Sequence, residues 1–290
     1  MTHVDRLKQL RGAIVIFNAP CDFDKFGIDF FRNNQVIFVA HSAPSHVDSH
    51  KNYFGKNRGE RITKARLCAK YLCLSEDYIE TTSALYGIPI TTIGAFGNTV
   101  EIDAAEQPRK LTGRPTIGTI CRVDNHSKRL DLFLQVADVM PQCDFIIYGM
   151  GVDQDWLTAE ADKRRNVSFL GATRDVKSAL RKIDIFLMTS DFEGFPISVV
   201  EALSQAVPVV IGKNSFANAR VLIKDGYNGF VGETFDPEVV AGLIEKVQGQ
   251  YETFSINSLK QFENFSPAAF KARWKEIFDE VTDNATGSEC

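Results

Sequence analysis

Two glutamates, Glu193 and Glu201, stand with seven residues between them in the run Ser190-Asp-Phe-Glu-Gly-Phe-Pro-Ile-Ser-Val-Val-Glu-Ala-Leu. The apolar stretch 184–188 just upstream reads as a buried strand, so this run starts at a carboxyl end, where open parallel sheets bind ligands. Gly194 permits a tight turn, and Pro196 suits the first position of a helix. The first amides of such a helix lack intrahelical partners and attract anions. Taken alone, Glu193 also reads as a solvated loop acid and Glu201 as a helix-surface residue. Two cations narrow the choice. Arg122 follows the apolar run 116–121, and Lys128 comes six residues later, before the next helical pattern. Both fall at the carboxyl edge of the same sheet, within reach of a diphosphate. Carboxylates that accept from hydroxyls, beside cations and amides that hold phosphate, suit a ligand carrying both groups.

Positioning these side chains takes a parallel sheet. Runs rich in Val, Ile and Phe recur at 14–17, 36–40, 71–74 and 91–96, then at 116–121, 145–148, 167–170, 184–188, 207–211 and 229–231. Continuous rather than alternating apolarity implies strands buried on both faces. The runs alternate with helical stripes at 129–140, 175–182 and 196–206, and Ser266-Pro267 opens a last helix. A polar, proline-bounded stretch at 103–115 separates the two sets. The pattern predicts an α/β chain with a partial Rossmann-like domain at 1–108 and a second one at 109–265. A helix at 266–282 crosses back to the first, followed by a frayed tail at 283–290. Four strands are few for the first domain, which therefore reads as incomplete at its amino end, with an exposed apolar sheet edge near Ile14 to Phe17 that favours self-association.

Composition bounds the rest. The 290 residues, 44% hydrophobic and 24% charged, match two ordinary globular domains and exclude disorder or a coiled-coil rod. A net charge of −4 argues against nucleic acid as a partner. No apolar run reaches the ~20 residues of a membrane span, and the amino terminus has no secretory layout, so a cytoplasmic location is expected. From Lys51 to Lys70, seven basic residues face a single acid, Glu60. The stretch reads either as a solvated helix face or as a surface for anionic lipid at the inner membrane face. The six cysteines form no CxxC pair and read as free thiols. His41, His46 and His50 lie close to Asp48, but their spacing fits no metal-ligand pattern, so no metal is expected.

The ordered pieces Arg122…Lys128-Arg-Leu-Asp, Phe145-Ile-Ile-Tyr-Gly-Met-Gly, Asn166-Val-Ser-Phe-Leu-Gly, Glu193-Gly-Phe-Pro-Ile-Ser-Val-Val-Glu201 and Asp225-Gly-Tyr-Asn-Gly-Phe resemble glycosyltransferase family 4. The resemblance implies the GT-B fold, in which two Rossmann-like domains face a cleft. It also implies metal-independent, retaining transfer from a UDP- or GDP-sugar, which is a substrate rather than a cofactor, to a glycan or lipid-linked acceptor. In this reading Glu201 binds the donor ribose. Glu193 contacts the transferred sugar, helped by the backbone of Gly194, Phe195 and Ile197. Arg122 and Lys128 hold the diphosphate and stabilise it as it leaves. The loop containing Thr173 lies along the base, and His41, ending Phe38-Val-Ala-His, reaches the donor sugar.

This sequence departs from the family pattern in places. Arg129 stands where the family has Gly after its Lys, Arg220-Val221 replaces a glutamate before Asp225-Gly, and the glycine-rich loop after the family's first strand has no counterpart. The alternative reading is a catalytically weak nucleotide-sugar-binding partner subunit of a glycosyltransferase complex.

Overall fold

A computed structural model describes residues 3–41, 44, 57–213 and 218–286. The chain forms two compact units, Met1–Asn98 with Phe270–Cys290, and Thr99–Ala269. Among the described residues the first holds four parallel strands, β1 (Ile14–Phe17), β2 (Gln35–Val39), β3 (Lys70–Cys73) and β4 (Ile93–Ala95), in the order β1-β2-β3-β4. Register places Phe17 beside Phe38 and Phe38 beside Tyr71 on one face. There Phe23 packs at ring separations of 5.4 Å from Phe17 and 5.0 Å from Phe38. The other face carries Ile37, Val39 and Leu72, covered by Phe96, Ile277 and Val281. The later turns of the helix Pro267–Thr286 thus complete this core, with Trp274 edge-on to Phe96 at 4.7 Å.

β1 pairs only with β2 among the described residues. Ile14 and Ile16 are exposed on it, while Phe17 turns into the aromatic cluster. The apolar edge expected at this strand is therefore Ile14 and Ile16 alone.

The basic stretch is described only in part. Lys51 and Lys56 lie outside the described residues, as do His46, Asp48 and His50. In the helix Arg58–Ala65 and the strand that follows, the cations serve the protein itself. Arg61 forks onto Asp24 through Nε at 2.7 Å and through Nη2. Lys64, 1% exposed, donates to the Phe23 carbonyl at 3.0 Å and pairs with Glu60. Arg66 Nε donates to the Tyr86 carbonyl at 2.6 Å, and Lys70 Nζ to Glu280 Oε1 at 2.5 Å. Long aliphatic stems let Lys64 and Arg66 reach backbone oxygens of the protein itself.

The second unit holds β5 (Thr116–Ile120), β6 (Asp144–Tyr148), β7 (Val167–Phe169), β8 (Ile185–Met188), β9 (Val209–Ile211) and β10 (Gly229–Val231), all parallel, in the order β10-β9-β8-β5-β6-β7. Its core gathers Ile117, Phe133, Phe145, Ile185, Val210 and Ile244. The units divide at Asn98 and Thr99, about ten residues before the expected boundary. Residues 99–108 belong to the second unit because their backbone bonds to it. Ala105 N donates to Ser204 O at 2.7 Å, and Gln205 Nε2 donates to Asp103 O at 2.9 Å.

Candidate functional site

In the second sheet the chain runs outward from β5 through β6 to β7, then returns to β8 and continues through β9 to β10. The direction reverses between the adjacent strands β5 and β8. Such a reversal splays the connections at the carboxyl ends and opens a crevice there. The two segments leaving those ends are 121–128 and 189–197, the pair that sequence reasoning singled out.

The structure joins them. Lys128 Nζ stands 2.5 Å from Glu193 Oε1, with the two side chains 16% and 13% exposed. Ser190 Oγ donates to the same carboxylate oxygen at 2.7 Å. Behind the pair, Thr189 Oγ1 donates to Lys128 O at 2.9 Å and Asp191 N to Ser127 O at 3.0 Å. Two loops distant in sequence are thus fastened at backbone as well as side-chain level.

Arg122 projects from the same edge, largely exposed, with Nη2 3.0 Å from Asp124 Oδ2. Burial would raise the Asp124 carboxyl, but bonds from the Ser127 hydroxyl and amide, with Arg122, hold it below its ordinary 3.8. The loop is anchored further by Asn125 N, which donates to Asp153 Oδ2 at 2.7 Å.

Gly149 and Gly151 have a steric role beside this loop. A Cβ on Gly149 would stand 1.9 Å from Cys121 O, and one on Gly151 2.1 Å from Val123 O. Val123 N in turn donates to Met150 O at 2.9 Å. The two glycines therefore let the loop bearing Arg122 lie against the end of β6. Burial pushes the Cys121 thiol up to about 11, which favours its protonated form at neutral pH.

The helix Ile197–Ser204 begins directly after Pro196. Phe195 is buried against Phe265, with centroids 5.9 Å apart, and the buried Asn218 donates from Nδ2 to Gly194 O at 2.6 Å. Asn218, Ser190 and Asp191 are parts of the site that sequence reasoning passed over. Ser190, three residues before Glu193, carried a readable turn signal; Asn218 carried none.

Glu201 is half-buried on that helix and lines a cavity of about 350 Å³ with Val100, Ile102, Arg174 and Lys177. Burial pushes its carboxyl above the ordinary 4.5. Thr173 lies in the turn before the helix Val176–Leu180, where its hydroxyl exchanges 3.1 Å bonds with the backbone of Asp175. His41 belongs to the first unit, just beyond β2, with Nε2 3.4 Å from Asn18 Oδ1. Desolvation of its ring lowers its pKa from 6.5, favouring the neutral imidazole. Among the described residues no three His, Cys, Asp or Glu side chains converge to hold a metal ion.

Lys128, Glu193, Arg122 and the start of the helix Ile197–Ser204 follow the carboxyl ends of β5 and β8, while Glu201, on the same helix, faces a cavity lined by other residues. The family described as glycosyl transferases group 1 matches residues 101–257, more than half of the chain. The chain belongs to that family. The matched segment contains the whole arrangement from Arg122 to Glu201.

This group 1 family member is 29% identical over 173 residues to the poly(glycerol-phosphate) alpha-glucosyltransferase of Bacillus subtilis, an alignment covering 58% of this chain and 26% of that protein. It is 24% identical over 289 residues to the poly(ribitol-phosphate) alpha-N-acetylglucosaminyltransferase of Staphylococcus aureus, covering 94% and 56%. A crystal structure of a mutant of S. aureus TarM with fondaparinux, alpha-GlcNAc-glycerol and UDP superposes with a TM-score of 0.75 at 22% identity, over 95% of this chain and 58% of that one. The chain thus spans less than two thirds of the length of these relatives. The likeness establishes the fold, two parallel-sheet α/β domains of the GT-B class. No helix among the described residues is long and apolar enough to cross a membrane.

Proposed function

We propose that this protein transfers a sugar from a UDP-sugar, with a GDP-sugar as the second donor class, to a glycan or lipid-linked acceptor with retention of configuration. The observation that carries the reading is the Lys128–Glu193 pair at the switch point, with Arg122 on the same edge. Lys128 and Arg122 would bind the diphosphate and stabilise the charge that develops on it as the glycosidic bond breaks. Glu193, already at the ammonium of Lys128, would accept from hydroxyls of the transferred sugar. The backbone of Gly194, Phe195 and Ile197 would complete that contact. Glu201 would accept from the ribose in its cavity, next to the turn that holds Thr173.

The relatives support UDP and retention. One was crystallised with UDP, and the enzymes named above are alpha-transferases, as expected when an alpha-linked donor gives an alpha-linked product. Retention would leave the departing diphosphate on the acceptor's side of the sugar, where it would take the acceptor proton without a separate protein base.

The test is release of UDP or GDP by the full chain from a panel of nucleotide sugars. Acceptors would include saccharides, lipid-linked saccharides and polyol-phosphate polymers, with the anomeric configuration of the product read by NMR. An inverted product would overturn the mechanism, and absence of nucleotide release with every donor and acceptor would overturn the activity.

A further inference from the structure

Arg129 has a left-handed backbone, φ 48° and ψ 51°. Among the described residues only Arg129 and Ala206 do so without being glycine. Glycine occupies this region without strain, whereas a side chain there persists only when its surroundings hold it. Here they do. Nε and Nη2 of Arg129 each stand 3.0 Å from a carboxylate oxygen of Asp131, and Nη1 stands 3.3 Å from Asp191 Oδ2. The guanidinium also lies 5.9 Å from the ring centroid of Phe235. Asp131 sits in the first turn of the helix Leu130–Val139, a fixed support, while Asp191 sits in the loop two residues before Glu193. Arg129 therefore bridges a helix start to the loop that presents Glu193 to Lys128.

We infer that Arg129 is a positioning residue, whose guanidinium, seated on Asp131, holds Asp191 and so fixes the loop that sets Glu193 against Lys128. Its effect on transfer rests on the reading of Glu193 as the sugar contact; the tether itself does not. Arg129→Gly suits the test because it removes the guanidinium and keeps the backbone conformation. Asp191→Ala removes the acceptor at the other end of the tie, at a position without left-handed backbone strain.

Hydrogen exchange by mass spectrometry on the full chain would compare the wild type, both variants, the double variant and Arg129→Lys. The expected result is exchange about tenfold faster in residues 189–195 for each single variant, with no further increase in the double. Arg129→Lys should fall between, since an ammonium cannot fork onto Asp131 while reaching Asp191. In transfer assays Arg129→Gly should lower kcat about tenfold with UDP affinity unchanged or higher, a split that general loosening of the fold would not give. Unchanged exchange at 189–195 in either single variant, or additive effects in the double, would overturn the tether. Faster exchange with unchanged kcat would overturn its positioning role. If the wild type releases nucleotide from no donor, the proposed function fails, and the exchange measurement still decides the tether.

Discussion

Glu193→Gln should bind UDP more tightly while transferring sugar more slowly. Lys128 has its ammonium 2.5 Å from Glu193, in a pair whose side chains are 16% and 13% exposed. A diphosphate that uses Lys128 must share that ammonium with an anion already on it. Glutamine keeps the shape of the side chain and an oxygen for the Ser190 hydroxyl, but removes the competing charge. An exposed ion pair contributes roughly 0.2–1 kcal/mol, and stranding one member of a fully buried pair costs roughly 3–5 kcal/mol. A pair at this depth falls at about 1–2 kcal/mol, and this attraction becomes available to the nucleotide once Glu193 is neutral. At 1.4 kcal/mol per factor of ten, UDP affinity should rise about 5- to 30-fold. The gain should shrink as salt is added, because it is electrostatic. Turnover should fall in the same variant, since the contact with the transferred sugar is weakened. Calorimetric titration with UDP at two ionic strengths, beside steady-state UDP release, reads both signs. Unchanged or weaker UDP binding by Glu193→Gln would refute the placement of the diphosphate at Lys128.

Burial raises the Glu201 carboxyl above 4.5, so its ionised form is lost on acidification before that of an ordinary glutamate, and uridine binding should weaken through that range. The same raised value means that its contribution to stability is fully present below the unfolded pKa and is lost as pH rises through the folded one, so Glu201→Gln should raise Tm at pH 7 and flatten the pH dependence of uridine binding. Gly151→Ala would set a Cβ 2.1 Å from Val123 O, forcing the Arg122 loop to move. The expected loss is more than about 2 kcal/mol, a Tm drop beyond roughly 4 °C, with weaker UDP binding. Lys64→Glu should destabilise the first unit by about 3–5 kcal/mol, because it removes the Phe23 carbonyl's donor and buries an acid beside Glu60. Thermal unfolding checks this, and a stable Lys64→Glu protein with weakened binding to anionic vesicles would instead favour the membrane-facing reading.

What the sequence made legible was set by side-chain chemistry. Apolar runs such as Ile185–Met188 became strands because burial on both faces leaves little choice of residue. The convergence of Lys128 and Glu193 followed from each lying just past such a strand. Backbone contacts were silent. Residues 103–115 look like a linker, yet Ala105 and Asp103 bond to the end of the helix Ile197–Ser204 through main-chain atoms that composition does not reveal. The glycines of Gly149-Met-Gly151 matched the family pattern without the sequence showing why, and their absent Cβ atoms make room for the carbonyls of Cys121 and Val123. Charge counting likewise was silent about the partners of Lys64 and Arg66, since the oxygens they meet are carbonyls of Phe23 and Tyr86.

The amino-terminal core is closed by residues from the far end of the chain, and this sets an order of maturation. Ile37, Val39, Leu72 and Phe96 emerge early in synthesis, yet the groups that cover them, Trp274, Ile277 and Val281, follow only after Phe270, 174 residues beyond Phe96. At ~5–20 residues per second that is a wait of roughly 9–35 s. During this time one face of the first sheet stays open to water, or to any chaperone that can shield it. The unit Thr99–Ala269 is continuous in sequence and contains its own core, so nothing delays its folding once it has been made. The domain made first is therefore finished last.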